Sequence, residues 1–181
     1  MTHSDQHPGL GTGRVVLRPV ETSDLAATRR WRGQESLWSQ TLGFRFPITE
    51  RMEAEWLASL DVGASPAAVT FAIDIADEPE LVGICMLRSI DWISRRADLG
   101  VFIGAGARRG IGIGDGALRL LLDYAASALG LRKICLQVRV DNLPAISLYA
   151  RNGFEQEGLL REHFYCRGIR HDILVMARFL E

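Results

Sequence analysis

The sequence predicts an α/β fold of the α+β kind, in which a mixed sheet of six to seven strands carries helices on both faces. Short apolar segments with strand character alternate with helix-period segments in the order βααβββαβαββ. The length of 181 residues suits one domain, and apolar and charged residues make up an ordinary 48% and 24%. We expect this domain over residues 13–181 and a flexible tail over residues 1–12, which are polar and glycine-rich.

The N-terminal half is predicted to form a strand, two helices and a hairpin. Thr22 or Ser23 can cap the first helix and Thr49 the second, because hydroxyl side chains accept hydrogen bonds from the free amides of a first turn. A turn that contains Pro79 divides two strand-like segments and so predicts the hairpin. The predicted spans are 15–20 for the strand, 22–32 and 49 onward for the helices, and 70–75 and 81–91 for the hairpin.

The C-terminal half is predicted to alternate strands and helices. Apolar residues recur at helical spacing from Leu118 to Leu129, and Gly130 is placed to end that helix. Asn142, two residues before Pro144, suits the start of another helix, which Gly153 stops. The predicted spans are 97–103 for a strand, 114–129 for a helix, 134–140 for a strand, and 154–162 and 171–179 for a last pair of strands.

Composition argues against several classes of protein. The formal net charge of −1 gives no general attraction to nucleic acid or anionic membranes, and no apolar run reaches the ~20 residues of a membrane helix. The three cysteines are widely spaced, which favours buried thiols in a reducing cytoplasm over disulfides. The four histidines show no spacing typical of metal ligands. We therefore expect a cytoplasmic protein without metal, nucleic-acid or membrane partners.

The most informative segment is Arg108-Arg109-Gly110-Ile111-Gly112-Ile113-Gly114. It joins a predicted strand to a predicted helix, where exposed backbone N–H groups and the helix dipole favour a negatively charged group. The two arginines add positive charge suited to phosphate. The glycine spacing matches neither the phosphate loop with its Lys-Ser/Thr pair nor the dinucleotide fingerprint, which makes an unrelated nucleotide-binding protein a poor match. A plain glycine connector with solvated arginines is the structural alternative.

The segments that follow give this turn a context. The motif Arg109-x-x-Gly112-x-Gly114 precedes a helix, a strand, Asn142, and an Ala-Ile-x-Leu-Tyr helix closed by Asn-Gly-Phe at 152–154. From about Ala97 to Gly158 the chain resembles the GNAT superfamily of acyl-CoA-dependent N-acyltransferases. The segments 159–163 and 168–172 resemble the branch that includes ribosomal-protein N-terminal and amino-sugar acetyltransferases.

The resemblance implies acetyl-CoA as co-substrate and residues that hold it. The sheet would be splayed between its central strands, and the peptide-like pantetheine arm would lie along the open edge at Val101, Phe102 and Ile103. One N–H of that edge would contact the thioester oxygen where negative charge develops. The pyrophosphate would lie on the backbone of residues 109–114, with Arg108 as a further contact. Gly100 is a candidate bulge that starts the splay.

The resemblance also assigns roles to Tyr149 and Asn142. Tyr149 matches the position that protonates the departing CoA thiolate, and a phenol near pKa ~10 can hydrogen-bond or protonate a thiol near ~8.5. A core tyrosine packed on the sheet is the alternative. Asn142 would contact CoA or a bound water, and its alternative is a helix cap.

A general base is needed because an alkylammonium, with a pKa near ~10, must lose a proton before it attacks. Asp98, at the start of the central strand, matches an acidic position that serves as base in some relatives, many of which carry the longer Glu. A charge at a strand end is the alternative. Other candidates are Glu35, Glu162, His163, Asp172 and a chain of waters.

The acceptor is expected between the aromatic segment 31–46 and a predicted loop at 163–172. The candidate acceptor-binding residues are Trp31, Arg32, Trp38, Phe44, His163 and Tyr165. Arginines beside these rings favour an anionic, ring-bearing amine such as a nucleotide-linked amino sugar, and weigh against a polyamine. Arginines that face water and aromatics that cover the core are the alternative.

Together these features predict an N-acetyltransferase that moves an acetyl group from acetyl-CoA to a primary amine by direct attack in a ternary complex. No cysteine stands at a recognisable nucleophile position, so a covalent acyl-enzyme is not indicated. The acceptor is expected to be a small-molecule or peptide amine, an amino sugar or a protein N-terminus, and the protein a monomer or homodimer. A non-catalytic acyl-CoA sensor on the same fold is the alternative.

Overall fold

A computed structural model describes residues 10–12, 14–34, 37, 42, 46–60, 67–76, 78–104 and 112–181. The strands are β1 (Leu10–Thr12), β2 (Val15–Pro19), β3 (Ala68–Ile75), β4 (Glu78–Asp91), β5 (Arg96–Ile103), β6 (Lys133–Arg139), β7 (Glu155–Cys166) and β8 (Ile169–Phe179). The helices are α1 (Leu25–Arg32), which follows a 3-10 turn at Thr22–Asp24, α2 (Glu50–Leu60), α3 (Ile113–Ser127) and α4 (Leu143–Arg151). Within these ranges no helix has both the length and the apolar composition that crossing a bilayer requires.

The strands form one sheet in the order β1-β2-β3-β4-β5-β6-β8-β7. Only β5 and β6 run parallel, and the other neighbouring pairs of the described strands are antiparallel. The predicted mixed α/β class is therefore confirmed. The sheet has one strand more than expected, because Leu10–Thr12, assigned to the N-terminal tail from the sequence, pair with Val15–Leu17. This pairing uses backbone groups along the edge of β2 that would otherwise lack partners.

Apolar side chains cover both faces of the sheet, since successive residues of a strand point to opposite sides. On one face α3 and α4 pack on the larger core, which includes Leu17, Ile73 and Leu121. On the other face α1 and α2 pack on a second cluster, which includes Trp31 and Ile84. Burial on both faces fixes the register of the strands, because a one-residue slip would expose each apolar set.

The two central strands part after a short parallel ladder. β5 and β6 pair only at Arg96↔Lys133, Ala97↔Ile134 and Asp98↔Cys135. Beyond that point β5 stays paired with β4 up to Ile103, and β6 stays paired with β8 up to Arg139. A gap therefore opens between two strands that are each held from behind, and the predicted splay is confirmed. Gly100 is not a bulge, because the β4–β5 register runs through it without a shift.

The last two strands are longer than predicted. From the sequence a loop is expected at residues 163–172, whereas β7 and β8 continue to a two-residue turn at Arg167–Gly168. Phe164 and Ile173 are buried on one side of this hairpin, which gives the extension an apolar face to bury. A bulge interrupts β7, where Glu162 adopts a φ of 49° and donates its N–H to Asp172 Oδ1 at 2.7 Å.

Candidate active site

The edge of β5 that faces the gap is the first part of the candidate site. After the pair Asp98↔Cys135, none of the described strands pairs with this edge on the β6 side. Val101, Phe102 and Ile103 are half-buried and keep their ladder to β4 on the other side. A strand held on one side and open on the other can take up an extended, peptide-like chain. These residues therefore fit a pantetheine arm.

Trp31 packs against the end of this strand. Its indole lies so close to Gly104, the residue after β5, that a methyl group at Gly104 would be 2.0 Å from Cε2. The same ring meets Phe102 with 5.6 Å between centroids and is only 3% exposed. From the sequence, Trp31 is expected in the acceptor pocket. The structure instead places its side chain in the core, because the ring fills the space above a glycine.

The N-terminus of α3 is the second part of the site. Gly112 caps the helix in the left-handed conformation, with a φ of 87°, and is exposed. The first-turn N–H groups lack helical partners and suit a phosphate oxygen. Ile113 turns its side chain into the core, so only its backbone can meet a ligand, and Gly114 lies in the same first turn. The other predicted phosphate contacts, Arg108, Arg109, Gly110 and Ile111, lie outside the described residues.

We expect Gly112→Ala to weaken CoA binding about tenfold, a loss of about 1.4 kcal/mol. Alanine at this φ is strained by about 1 kcal/mol, and relief of the strain would shift the first-turn amides. Gly168→Ala is a matched control, because Gly168 has a φ of 80°, equally open space for a methyl group, and a place in the β7–β8 turn. Calorimetric titration with CoA should separate the two variants, whereas thermal unfolding should not. Equal CoA affinities would contradict the pyrophosphate assignment.

Tyr149 lies on the side of α4 that packs on the larger core. Its ring meets Phe154 with 5.8 Å between centroids, and burial raises the pKa of Tyr149 to about 12. Its hydroxyl forms no hydrogen bond with the part of the chain that the structure describes. Buried phenols usually find such a partner. The ring is thus a packing residue whose protonated hydroxyl is available to a bound group.

Asn142 caps α4. Its Oδ1 accepts a hydrogen bond from the N–H of Ala145 at 3.3 Å, and Pro144 stands in the first turn. This bond uses the carbonyl side of the amide and leaves the Nδ2 group to donate. The cap is therefore present, and a contact with CoA is compatible with it.

Asp98 stands where the two central strands part. It is half-buried, opposite Arg88 on β4 and Cys135 on β6. Asp98 and Phe102 are four positions apart on β5, so their side chains point to the same face of the sheet, the one that α1 and α2 cover. A base at this position would lie at the closed end of the gap.

The arginines of α1 pair with carboxylates of α2. Arg29 Nη1 lies 2.6 Å from Glu50 Oε2, and Arg32 Nε lies 3.0 Å from Glu53 Oε2. The two arginines are three positions apart on α1 and the two glutamates three positions apart on α2, so both pairs lie along one helix–helix contact. Arg32 also lies 4.4 Å above the Trp56 ring. The basic pocket expected from the sequence is thus corrected, because the positive charges of Arg29 and Arg32 are balanced within the protein.

The remaining acceptor candidates do not form one pocket in the described structure. His163 and Tyr165 are exposed on β7, and Tyr165 points away from the buried side of the hairpin, where Phe164 lies. Arg170 lies 5.9 Å from the Tyr165 ring. Trp38 and Phe44, like the candidate base Glu35, lie outside the described residues.

A cluster of charged side chains that the sequence did not indicate lies where β6 ends. Arg139 donates to both carboxylate oxygens of Asp141, with Nε 2.9 Å from Oδ1. His171 on β8 places Nδ1 3.4 Å from Oδ2 of the same carboxylate. The bonds from Arg139 hold the pKa of Asp141 below its usual range. We call Arg139, Asp141 and His171 the β6-end cluster. Only the pairing of β6 with β8 brings its members together, so no local pattern could reveal it.

Comparisons with known proteins agree with this geometry. A spermidine N(1)-acetyltransferase of Vibrio cholerae is 30% identical over 160 residues, which cover 88% of this chain and 90% of that protein. A ribosomal-protein-serine acetyltransferase of Escherichia coli is 29% identical over 107 residues, 59% of each chain. The crystal structure of spermidine N-acetyltransferase from Vibrio cholerae in complex with CoA and spermine matches with a TM-score of 0.84 at 28% identity, covering 93% of this chain and 96% of that one.

The family itself follows from a match over most of the chain. The model of the acetyltransferase (GNAT) domain matches residues 14–155. That span contains the open edge of β5, the gap, Gly112 and Tyr149. The superfamily expected from the motifs is confirmed, and acetyl-CoA is the co-substrate of these enzymes. The chain therefore belongs to the GNAT acetyltransferase family and is an acetyl-CoA-dependent N-acetyltransferase.

Proposed function

We propose that this enzyme acetylates a primary amine of a polyamine, with spermidine as the first substrate to test. The observation that carries the proposal is the match, over about nine-tenths of both chains, to a spermidine acetyltransferase and to a solved structure that holds CoA and spermine. The proposal replaces the amino sugar and the protein N-terminus as first choice of acceptor.

The charges on the described structure are compatible with a cationic acceptor. Arginines near α1 would weigh against a polyamine if their charges were unbalanced. Arg29 and Arg32 are instead paired with Glu50 and Glu53. The half-buried carboxylate of Asp98 lies on the same face of the sheet, at the base of the gap. An ammonium group is attracted to such a carboxylate in a partly dry site.

Different residues around the gap would serve different steps of the reaction. Acetyl-CoA supplies an acyl group activated as a thioester. The N–H groups of Val101 and Ile103, which face the gap, would hold the pantetheine arm and stabilise charge on the carbonyl oxygen, and the first turn after Gly112 would hold the pyrophosphate. Tyr149 would donate a proton to the sulfur, because its pKa of about 12 keeps the phenol protonated. Asp98 stays a candidate proton acceptor.

The acceptor can be identified by thiol release from acetyl-CoA. We would compare spermidine with a nucleotide-linked amino sugar and with peptides that begin with Ser or Ala, and weigh each product by mass spectrometry. We expect spermidine to give a kcat/KM at least about tenfold above the others, which is 1.4 kcal/mol of transition-state discrimination. Turnover confined to an amino sugar or a peptide would overturn the polyamine proposal and leave the transferase activity standing. Tight CoA binding without spermidine turnover would also count against it.

A further inference from the structure

The β6-end cluster borders the gap at the height of the open β5 edge. β5 and β6 are parallel and in register at Asp98↔Cys135. Phe102 on β5 and Arg139 on β6 each lie four residues beyond this pair. Since both strands rise about 3.3 Å per residue, these two residues reach the same height on opposite sides of the gap. Their side chains also share the sheet face of Asp98, because each is an even number of residues beyond the last pair.

The cluster holds its imidazole in a defined orientation. Asp141 is fixed by two hydrogen bonds from Arg139, whose side chain is only 10% exposed. His171, with its side chain 15% exposed, places Nδ1 3.4 Å from this carboxylate and packs on Phe164 with 6.2 Å between ring centroids. A neutral imidazole that donates from Nδ1 carries its lone pair on Nε2, at the opposite edge of the ring.

The other charged groups around this histidine are engaged elsewhere. Asp172, its neighbour on β8, accepts the N–H of Glu162 at 2.7 Å. The Glu162 carboxylate is mostly exposed and lies 4.0 Å from Arg170 Nε. An apolar cluster also lies on this face of the hairpin, formed by Leu42, Leu160, Phe164, Cys166 and Ile173. Among the described residues, Asp141 is thus the carboxylate that orients His171.

We propose that His171, oriented by Asp141, is the base that removes the proton from the acceptor amine. One proton passes from the substrate ammonium to Nε2, and the freed lone pair forms the C–N bond while the C–S bond breaks. The sulfur gains a proton from Tyr149, and the second proton lost by nitrogen restores that phenol. His171 then returns its proton to water. The proposal rests on transfer to a primary amine and applies to any such acceptor, so it does not depend on the choice of spermidine.

The first test compares the pH dependence of His171→Gln with that of the wild-type enzyme, using the amine acetylated fastest in the panel above. We expect kcat/KM to fall about 100-fold at pH 7. The variant should then recover about tenfold per pH unit up to pH 9, because the solution itself supplies more neutral amine as pH approaches the ammonium pKa. CoA affinity, measured by calorimetry, should stay within about twofold, since the side chain does not hold CoA. The proposal would be overturned if kcat/KM of the variant fell by the same factor at pH 7 and pH 9, or by less than about threefold at pH 7.

A second test does not depend on turnover. Nitrogen NMR of the imidazoles in the CoA complex should show that the neutral form of His171 carries its proton on Nδ1, and Asp141→Asn should reduce that preference. Asp123→Asn, the same chemical change on the exposed side of α3, is the matched control and should leave the tautomer and the rate unchanged. A proton on Nε2 in the wild-type protein would overturn the assignment. Absence of turnover with every amine would count against the proposed function, whereas the tautomer would still decide for or against the base.

Discussion

Tyr149→Phe should lower kcat about 100-fold, the low end of what a positioned acid contributes, with CoA bound as tightly as by the wild-type enzyme. The phenylalanine keeps the ring that packs on Phe154 and removes only the hydroxyl. That hydroxyl forms no hydrogen bond within the described residues, so its loss leaves none of their polar groups without a partner. The loss should therefore appear in the chemical step and not in the stability of the fold.

The raised pKa gives this prediction a pH signature. Burial raises the pKa of Tyr149 to about 12, so the phenol is protonated, and able to donate, throughout the range from pH 7 to pH 10. Ionisation of Tyr149 should therefore cause no fall in kcat as pH rises through that range. Tyr124→Phe is the matched control, since Tyr124 is a half-buried tyrosine on α3 whose ring meets Phe71 at 5.1 Å. A kcat for Tyr149→Phe within about threefold of that control would contradict its role as proton donor.

Glu53→Ala should destabilise the protein by about 3 kcal/mol, the cost typical of breaking a buried ion pair. Glu53 is fully buried, and neither carboxylate oxygen accepts a hydrogen bond from a described residue, so its ion pair with Arg32 at 3.0 Å is its main compensation. Removal of the carboxylate takes away the ion pair of the Arg32 guanidinium with Glu53, at a side-chain exposure of 14%. Thermal or urea unfolding should show the loss as a fall in Tm of about 9 °C.

The neighbouring pair supplies the control. Glu50→Ala breaks the same type of contact, but Arg29 and Glu50 are 50% and 66% exposed, and we expect a change below about 1 kcal/mol because water screens the charges. The double variant Arg32→Met with Glu53→Leu should regain most of the stability, since well-packed apolar residues replace a buried pair at little cost. Equal losses for Glu53→Ala and Glu50→Ala would show that burial does not strengthen the inner pair.

Local signals predicted the elements that position the CoA site. The glycines of the 108–114 segment indicated a turn that exposes backbone N–H groups at the start of a helix, and Gly112 caps α3 there. Asn142 followed by Pro144 indicated a helix start, and the side chain of Asn142 caps α4. The splay depended on the resemblance, because the residues of β5 carry no local mark of it and the register shows no bulge at Gly100.

Contacts between residues far apart in the chain could not be predicted in the same way. The arginines of α1 suggested a basic pocket, since the sequence does not show that Glu50 and Glu53 lie beside them. Trp31 suggested an aromatic pocket wall because the sequence does not show Gly104 beneath the ring. These contacts join segments far apart in the chain, and they form only when α1 and α2 pack on the sheet.

Amide hydrogen exchange with and without CoA shows directly whether the ligand lies along the open edge of β5. We predict that CoA slows exchange at Val101 and Ile103, whose N–H groups face the gap, and in the first turn of α3. Exchange at Phe102, whose N–H faces β4, and at the β4 amides near Gly83 should stay unchanged. Tight CoA binding without added protection at Val101 and Ile103 would rule out this binding mode.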